Sequence, residues 1–359
     1  MTPLMRSPTV EEAFNIVQVG TVRAGPLMGL SGALGAFGLA LGPLLDEIGL
    51  QPTTFDDAGN GVRLDKAVRL LALAMERTNC PHFGLLCGQS VRIEDLGIVG
   101  RVARNAGDVG SGLRGLILNL HLNGHAFIPV LTTTSDLAEL VLRLVVDADG
   151  DTDPSIDLGM AIACMAVRTL CGPGWAPVEI LLARRAPVSR EPYSKFFGAP
   201  VQFGREHNAI VFPAAWLKQR VHGANPTKRR LLERELAVVA QRHRLPAATM
   251  ARRALVSCLA RGEVSVQAVA ASVGLHPRTL NRRLAGESTS VFELLKEERY
   301  RIACDLLANT PLPISEVAAT LLYSSIGNFT RAFHAWSGES PSDWRLNHSK
   351  PGSMARSSV

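Results

Sequence analysis

Aromatic residues and cysteines are scarce in this chain of 359 residues. Aromatic side chains make up 5% of it, so the packing of a folded core depends on aliphatic residues. The six cysteines are too few and too scattered to hold a chain of this length together by disulfides, which favours a reducing cytoplasm. With 47% hydrophobic and 19% charged residues, the composition excludes intrinsic disorder and a collagen-like structure, and the length predicts two or three domains.

Motifs of several enzyme and metal-binding classes are also missing. The sequence has no Walker lysine motif, no GxSxG elbow and no evident Ser/His/Asp arrangement, so we expect no enzyme activity and no cofactor. His121 and His125 have a spacing that two metal ligands on a helix can have, but Gly124 interrupts such a helix and no carboxylate accompanies them. The alternating aspartates of 147–153 lack the glycine and glutamate of a calcium loop. We therefore expect no metal site.

The net charge of +6 is unevenly distributed. Residues 1–220 hold 19 basic and 21 acidic residues, a balance of −2, whereas residues 221–359 hold 19 basic and 11 acidic residues, a balance of +8. A basic C-terminal third indicates a polyanionic partner, with nucleic acid as the first candidate and a membrane surface as the second. The alternative is a basic face that is merely solvated.

No charged residue occurs in segment 24–45, which is about as long as the ~20 residues that span a bilayer. Acidic and basic residues flank the segment without a positive-inside bias, and no basic leader precedes it as in a signal peptide. We predict a buried helix in a soluble domain and no membrane partner. A membrane-tethered regulator is the alternative.

The N-terminal half mixes helical and strand patterns, which predicts an α+β domain. Apolar residues recur at helical spacing in 64–75 and 113–120, and alternation in 126–146 around a turn at 132–136 predicts a hairpin. Asp153 as N-cap and Pro154 as first residue predict a helix that carries Cys164 and Cys171 as core thiols. Strands are predicted at 178–183 and 210–212.

The C-terminal third is predicted to be entirely helical, and it contains an internal repeat. Val266, Val269 and Ala270 correspond to Ile314, Val317 and Ala318 at an offset of 48 residues. Each copy has a helix with an apolar face, a sharp turn (Gly274 in the first copy) and a second helix, which is the pattern of a helix-turn-helix unit.

The second helix of the first copy presents polar side chains on one stripe. Leu280 and Leu284 face the core, which turns Arg278, Asn281 and Arg282 outward at spacing i, i+3, i+4. An arginine suits guanine or phosphate, and an asparagine amide can read adenine, so the stripe has DNA-binding chemistry.

In the second copy the core residues are Phe329, Phe333 and Trp336. The corresponding stripe is Gly327, Thr330 and Arg331, with Asn328 beside it, so we expect one strong reader there.

A long helix at 290–307 is predicted between the two copies, with Phe292, Leu295, Ile302 and Leu306 on its apolar face. As a rigid spacer it would fix the distance between the second helices of the copies. To reach successive major grooves on one side of a duplex, those two helices must lie about one helical turn, ~34 Å, apart.

Segment 245–346 resembles the DNA-binding domain of the AraC/XylS family of bacterial transcription regulators. The resemblance is carried by "VAASVGLHPRTLNRRLAGESTSVFELLKEERYRIACDLL" and by "PISEVAATLLYSSIGNFTRAFHAWSGESPSDWR". The second segment has the signature order of the family, which is Ser324, Asn328, Phe329, Arg331, Phe333, Trp336, Gly338, Pro341 and Trp344. Leu322 departs from the family pattern, which usually has the turn glycine at this position.

The N-terminal half resembles the arabinose-binding-like effector domain of the branch that includes ornithine-responsive regulators. "LLDEIGLQPTTFDD", "GLLCGQSVRIEDLGIVG", Trp175 and "YSKFFGAPVQFGREHNAIVFPAAWL" carry this resemblance. It implies a small-molecule effector and a homodimer.

These observations predict an α+β effector-binding and dimerisation domain (1–222), a linker helix (223–244), an all-α domain with two tandem helix-turn-helix units joined by a long helix (245–346), and a disordered tail (347–359). We expect a cytoplasmic transcription regulator that binds double-stranded DNA and acts on RNA polymerase as an activator. Its expected targets are nearby metabolic or virulence-type genes. The alternative is a membrane-tethered or redox-sensing DNA-binding regulator. The predicted DNA-binding residues are Arg278, Thr279, Asn281, Arg282, Ser325, Asn328, Thr330 and Arg331. Apolar walls from the 126–146 hairpin and the following helix are expected to form the effector pocket, and its predicted polar or aromatic residues are His121, His125, Arg143 and Trp175.

Overall fold

The computed structural model describes residues 20–124, 126–144, 151–242, 246–260, 262–273, 275–310 and 312–348. The chain divides into two compact units, Met1–Arg244 and Leu245–Val359. The helix predicted as a linker falls within the first unit. There its buried Leu232 and Val239 pack against Ile98, Val99 and Leu122.

The first unit combines helices with a five-stranded sheet and a two-stranded ribbon. Its helices are α1 (Gly29–Gly35), α2 (Leu41–Ile48), α3 (Leu64–Thr78), α4 (Phe83–Gly88), α5 (Gly97–Arg104), α6 (Val109–Asn119), α7 (Asp153–Cys171), α8 (Glu191–Phe197) and α9 (Pro226–Arg242). Its strands are β1 (Thr21–Arg23), β2 (Gly61–Arg63), β3 (Phe127–Thr133), β4 (Leu137–Leu144), β5 (Glu179–Leu182), β6 (Val201–Phe203) and β7 (Asn208–Pro213).

The larger sheet has the strand order β3-β4-β7-β5-β6. Strands β3 and β4 form the predicted hairpin, with Val130 opposite Val141, and β4 continues the sheet by pairing Leu140 with Ile210 of β7. All neighbours are antiparallel except β5 and β6. The α+β prediction for this half is confirmed, although β6 was not anticipated because three residues are too few to show an alternation.

The charge-free segment 24–45 is only partly buried, and the prediction of a single buried helix is wrong. Met28 is 44% exposed and Phe37 is 42% exposed. A short 3-10 turn and α1 are followed by a break and then by α2. Gly38 takes a φ of +71° just after α1, in the left-handed region that glycine adopts without strain, and this ends the helical run. Leu30, Leu34 and Leu45 pack in the same apolar cluster.

Helix α7 runs through the middle of the first unit. It begins at Asp153, one residue earlier than predicted, because Thr152 and not Asp153 occupies the N-cap position. The Asp153 carboxylate instead lies 3.3 Å from Nε of Arg184. Among the helices that the structure describes, α7 is the one with the length and composition to cross a membrane, and 61% of its apolar window is buried inside this unit.

Every element in the described part of the second unit is a helix, as predicted. The helices are α10 (Ala247–Ala260), α11 (Val266–Ser272), α12 (Pro277–Gly286), α13 (Val291–Asn309), α14 (Ile314–Thr320), α15 (Ile326–Ser337) and α16 (Pro341–His348). Helices α11 and α12 form the first helix-turn-helix unit, α14 and α15 form the second, and α13 joins them. Gly274, the predicted turn residue of the first copy, lies outside the described residues.

Helix α13 contributes to the apolar clusters of both helix-turn-helix units. Its first half places Val291 and Leu294 in the cluster of α11 and α12, and its second half places Ile302 and Leu307 in the cluster of α14 and α15. The predicted apolar face was wrong at Phe292, which is 71% exposed, because the buried stripe runs through its neighbour Val291.

Helix α16 continues two residues into the segment predicted as a disordered tail. His348 stacks on Trp344 with ring centroids 4.2 Å apart, and Nδ2 of Asn347 donates to Oε2 of Glu339 at 3.2 Å. These contacts keep both residues in the helix. Residues 349–359 lie outside the described part of the chain.

Candidate nucleic-acid interface and ligand cavity

Helix α12 presents the polar stripe that the sequence predicted. Pro277 opens the helix, and the Nδ1 atom of His276, its N-cap, accepts a hydrogen bond from the backbone N–H of Arg278 at 3.3 Å. Leu280 and Leu284 are fully buried, which fixes the rotation of the helix about its axis.

The other side of α12 is therefore turned to solvent. Arg278, Asn281 and Arg282 are exposed there, and Thr279 is half-buried. Within the described residues, no hydrogen bond or ion pair engages the side chains of the three exposed residues. Their donors and acceptors are thus available to a nucleic acid, although DNA contact itself stays a prediction for each of them.

The corresponding side chains of α15 are bonded to one another. The Ser325 hydroxyl is the N-cap and accepts from the Asn328 backbone N–H at 3.2 Å. Nδ2 of Asn328 donates to the Ser324 hydroxyl at 2.8 Å, and a guanidinium N–H of Arg331 donates to Oδ1 of Asn328 at 2.7 Å. Asn328 and Arg331 thus form a preorganised pair, while Thr330 is half-buried. Their DNA contacts, like that of Ser325, stay predictions.

The turn between α14 and α15 is built without glycine. Leu322 has a φ of +58°, in the left-handed region. Its backbone N–H donates to the carbonyl of Ala319 at 2.9 Å, and the N–H of Tyr323 donates to the carbonyl of Ala318 at 3.0 Å. These two bonds form a Schellman motif, in which the left-handed position is usually glycine. The turn therefore closes without glycine, and Leu322 takes the strained conformation.

The first unit contains a partly open cavity of about 140 Å³. Leu140, Leu142 and Leu144 of β4 form one wall, and α7 forms another. Helices α3 and α6 supply further aliphatic side chains. Its walls thus include the hairpin and the helix after it, where the sequence pattern placed the pocket.

Two polar residues, Asn123 and Ser155, occur in the described lining, which is otherwise composed of apolar residues and glycine. Asn123 is 6% exposed and Ser155 is 5% exposed. Oδ1 of Asn123 and the Ser155 hydroxyl are buried and have no hydrogen-bond partner among the described residues. The part of the lining that the structure describes therefore has no charged group, and its two polar residues each carry a buried oxygen without a partner among the described residues.

Three of the four residues predicted to bind the effector do not line this cavity. Arg143 is on the face of β4 opposite to the cavity, because side chains alternate along a strand and its neighbours Leu142 and Leu144 line the cavity. Trp175 is 5% exposed and packs edge-on against Phe212 at 5.9 Å.

His121 is half-buried, with its Nδ1 atom 3.2 Å from the Leu118 carbonyl, and does not line the cavity. His125 lies outside the described residues. Effector binding by these four residues stays a prediction. Sequence reasoning missed Asn123 and Ser155, and nothing in their local sequence marks them as lining residues.

A buried ionic cluster lies on another side of α7. The Asp157 carboxylate is 1% exposed; it pairs with the Arg184 guanidinium and accepts a hydrogen bond from the Tyr193 hydroxyl at 2.6 Å. Asp153 shares the same guanidinium. Burial raises the pKa of Asp157 to about 7 although Arg184 acts in the opposite direction. The cluster connects α7 to β5 and α8.

Three of the described thiols are poorly suited to redox sensing. Burial raises the pKa of Cys87 to about 12, of Cys164 to about 11 and of Cys171 to about 12. A thiol reacts as the thiolate, so these three are held in their unreactive form at neutral pH. In the part of the chain that the structure describes, no three His, Cys, Asp or Glu side chains are grouped so that they could hold a metal ion.

Comparison with known families accounts for both units. A family model described as the arabinose-binding domain of AraC transcription regulators, N-terminal, matches residues 38–221, which is more than half of the chain. A helix-turn-helix domain model matches residues 269–347. The chain belongs to the AraC family of transcription regulators. This AraC-family protein is a DNA-binding helix-turn-helix regulator.

Similar proteins match over most of their length. The transcriptional regulator VirS of Mycobacterium tuberculosis is 29% identical over 338 residues, which cover 90% of this chain and 96% of VirS. The ornithine utilization regulator of Pseudomonas aeruginosa is 24% identical over 86% of this chain and 91% of its own. The crystal structure of the regulator CdpR from Pseudomonas aeruginosa covers 85% of this chain and 96% of its own, at 22% identity and a TM-score of 0.44.

Proposed function

We propose that this AraC-family regulator responds to a small molecule bound in the cavity of its first unit. In this proposal the second unit binds double-stranded DNA through α12 and α15. The observation that carries it is the presence, in one chain, of a largely apolar cavity and of a helix that presents Arg278, Asn281 and Arg282 without partners among the described residues.

The coupling between the units has to be a difference in binding free energy. An effector changes DNA affinity only if it binds one arrangement of the protein more tightly than another. The proposal extends to a cytoplasmic homodimer that recruits RNA polymerase as an activator, as the family resemblance implies, and it includes no catalytic step. A redox-sensing mechanism is less well supported, because burial holds three of the thiols protonated.

The DNA-binding part of the proposal is tested by mobility shift with a fragment of a target promoter and an unrelated duplex. We expect Asn281→Ala and Arg282→Ala to weaken promoter binding by about 1–3 kcal/mol each if they read bases, with less effect on the unrelated duplex. The control is Arg69→Ala, an exposed arginine of α3 that removes the same charge from the other unit. Equal effects of Arg282→Ala and Arg69→Ala would contradict the assignment of α12 as a reading helix.

A further inference from the structure

The cavity of the first unit has walls that select a particular chemistry. Leu113, Leu116 and Ile117 of α6 face it together with the leucines of β4 and with Ile162 and Ala163 of α7. Polar atoms bonded to water lose those bonds on entering such a site, and each buried polar group left without a partner costs about 1–3 kcal/mol. A sugar carries a hydroxyl on nearly every carbon, and an amino acid carries two charges. Two oxygen atoms in the described walls cannot satisfy either kind of molecule.

The volume limits the size of the ligand. An apolar cavity of about 150 Å³ holds a benzene molecule or a xenon atom. The cavity here is about 140 Å³, so it accepts one six-membered ring or an aliphatic chain of similar volume.

The two unpartnered oxygens indicate what else the ligand carries. Oδ1 of Asn123 can only accept a hydrogen bond, and the Ser155 hydroxyl can both donate and accept. Both oxygens are closed to the cavity as they stand, so a ligand with one hydroxyl or amide N–H would pair with them once their side chains turn toward it.

We propose that the effector is an uncharged, mainly apolar molecule of about one ring in size with a single hydroxyl or amide group, and that sugars and free amino acids are not its effectors. This inference rests on the proposed function, because it names the ligand class of the same cavity. It follows from the residues that line the cavity of this chain.

Binding is measured on the full-length protein by ligand-observed NMR and by thermal shift with five probes. The probes are toluene, benzyl alcohol, benzoate, arabinose and ornithine. We expect benzyl alcohol to bind most tightly, toluene to bind about 3- to 10-fold more weakly because it makes no hydrogen bond, and the other three not to bind at the same concentrations. Binding of benzoate, arabinose or ornithine in preference to benzyl alcohol would overturn the proposal.

Two variants locate the binding. Ser155→Ala removes an unpartnered hydroxyl, so it should leave the melting temperature unchanged, weaken benzyl alcohol about 3- to 10-fold and leave toluene unaffected. Ala163→Leu fills the cavity, so it should abolish binding of both probes while raising the melting temperature. The matched control is Ala237→Leu, at an exposed position of α9, which should bind both probes as the parent protein does. If Ala163→Leu still binds benzyl alcohol with parental affinity, the ligand is not in this cavity.

Measuring promoter binding together with ligand binding separates the proposed ligand class from the proposed function. If benzyl alcohol binds but does not change promoter affinity, the ligand class stands and the proposed coupling to DNA fails. If promoter binding depends on Arg282 but toluene and benzyl alcohol both fail to bind, the DNA-binding function stands and the ligand class is wrong.

Discussion

Leu322 is strained, since a left-handed backbone costs a side chain with a Cβ roughly 1–2 kcal/mol relative to glycine. Because the Schellman bonds of this turn are made by the backbone, Leu322→Gly keeps them. We expect it to raise the free energy of unfolding of the second unit by about 1 kcal/mol, measured by urea titration. Leu346→Gly, at an exposed site in regular helix α16, should lower it by about 1 kcal/mol. A destabilised Leu322→Gly variant would show that burial of the Leu322 side chain outweighs the strain.

The buried carboxyl of Asp157 makes stability depend on pH. Its pKa in the folded protein is raised to about 7, above the value of about 3.9 of an unfolded aspartate, so the folded state binds the proton more tightly. The stabilisation is complete below about pH 4 and is lost as the pH rises to about 7. We therefore expect the parent protein to lose free energy of unfolding relative to Asp157→Asn across this range.

The measurement is a series of urea titrations between pH 4 and 8. Asp46→Asn, which changes an exposed carboxyl of α2, is the control and should run parallel to the parent protein. A parent protein that gains stability relative to Asp157→Asn as the pH rises would show that Arg184 keeps Asp157 ionised and that its pKa is lowered.

At the residue scale, helical periodicity predicted the polar stripe of α12 because Leu280 and Leu284 leave only one possible rotation of the helix. Side chains alternate along a strand, and this alternation already placed Arg143 on the face opposite to Leu142 and Leu144. We nevertheless placed Arg143 in the pocket by its chemistry. Asn123 and Ser155 could not be chosen from the sequence, because what distinguishes them is the absence of a partner, which depends on the tertiary structure.

At the element scale, the contact of α4 with α7 depends on a glycine. A Cβ built on Gly84 would lie 1.9 Å from the carbonyl oxygen of Pro154. Gly84→Ala therefore forces α4 away from α7, and we expect a loss of roughly 1–3 kcal/mol or more in the free energy of unfolding. Gly115→Ala in α6, where a Cβ meets no atom within 4 Å, should instead add roughly 0.5–1 kcal/mol. Thermal unfolding of both variants measures the difference, and a neutral Gly84→Ala would mean that the two helices are less closely packed.

The rotation of α13 shows why an element can be predicted while its buried face is not. Its apolar residues occur in adjacent pairs, such as 291 with 292 and 294 with 295, so two stripes one residue apart fit the helical period equally well. Contacts with α10 and α12 decide between them, and they bury Val291 and Leu294 while Phe292 stays exposed. Such contacts are not encoded in the local pattern.

At the scale of the whole molecule, the basic excess extends across the division into units. Residues 1–220 have a balance of −2 and residues 221–359 one of +8, but half of that excess lies in 221–244, within the first unit, so residues 1–244 total +2 and residues 245–359 total +4. Composition and the internal repeat were enough to predict that the C-terminal part of the chain carries the helix-turn-helix units, whereas an effector-binding role for the N-terminal half was implied only by the family resemblance. The nature of the ligand was not predictable, because it depends on which side chains from α3, α6, β4 and α7 meet around one space.

The basic second unit should make DNA affinity strongly dependent on salt. Each phosphate contact releases counterions, and about six contacts lower affinity roughly a thousandfold between 50 and 200 mM salt. We expect this dependence for the full-length protein on promoter DNA, measured by fluorescence anisotropy. Arg331→Ala should remove most of the contribution of α15 and reduce the salt slope by about one if the guanidinium contacts phosphate. Thr330→Ala, at a half-buried neighbouring position, should change affinity little. If both variants weaken binding equally, α15 does not contact DNA mainly through Arg331, and the asymmetry between the two reading helices is wrong.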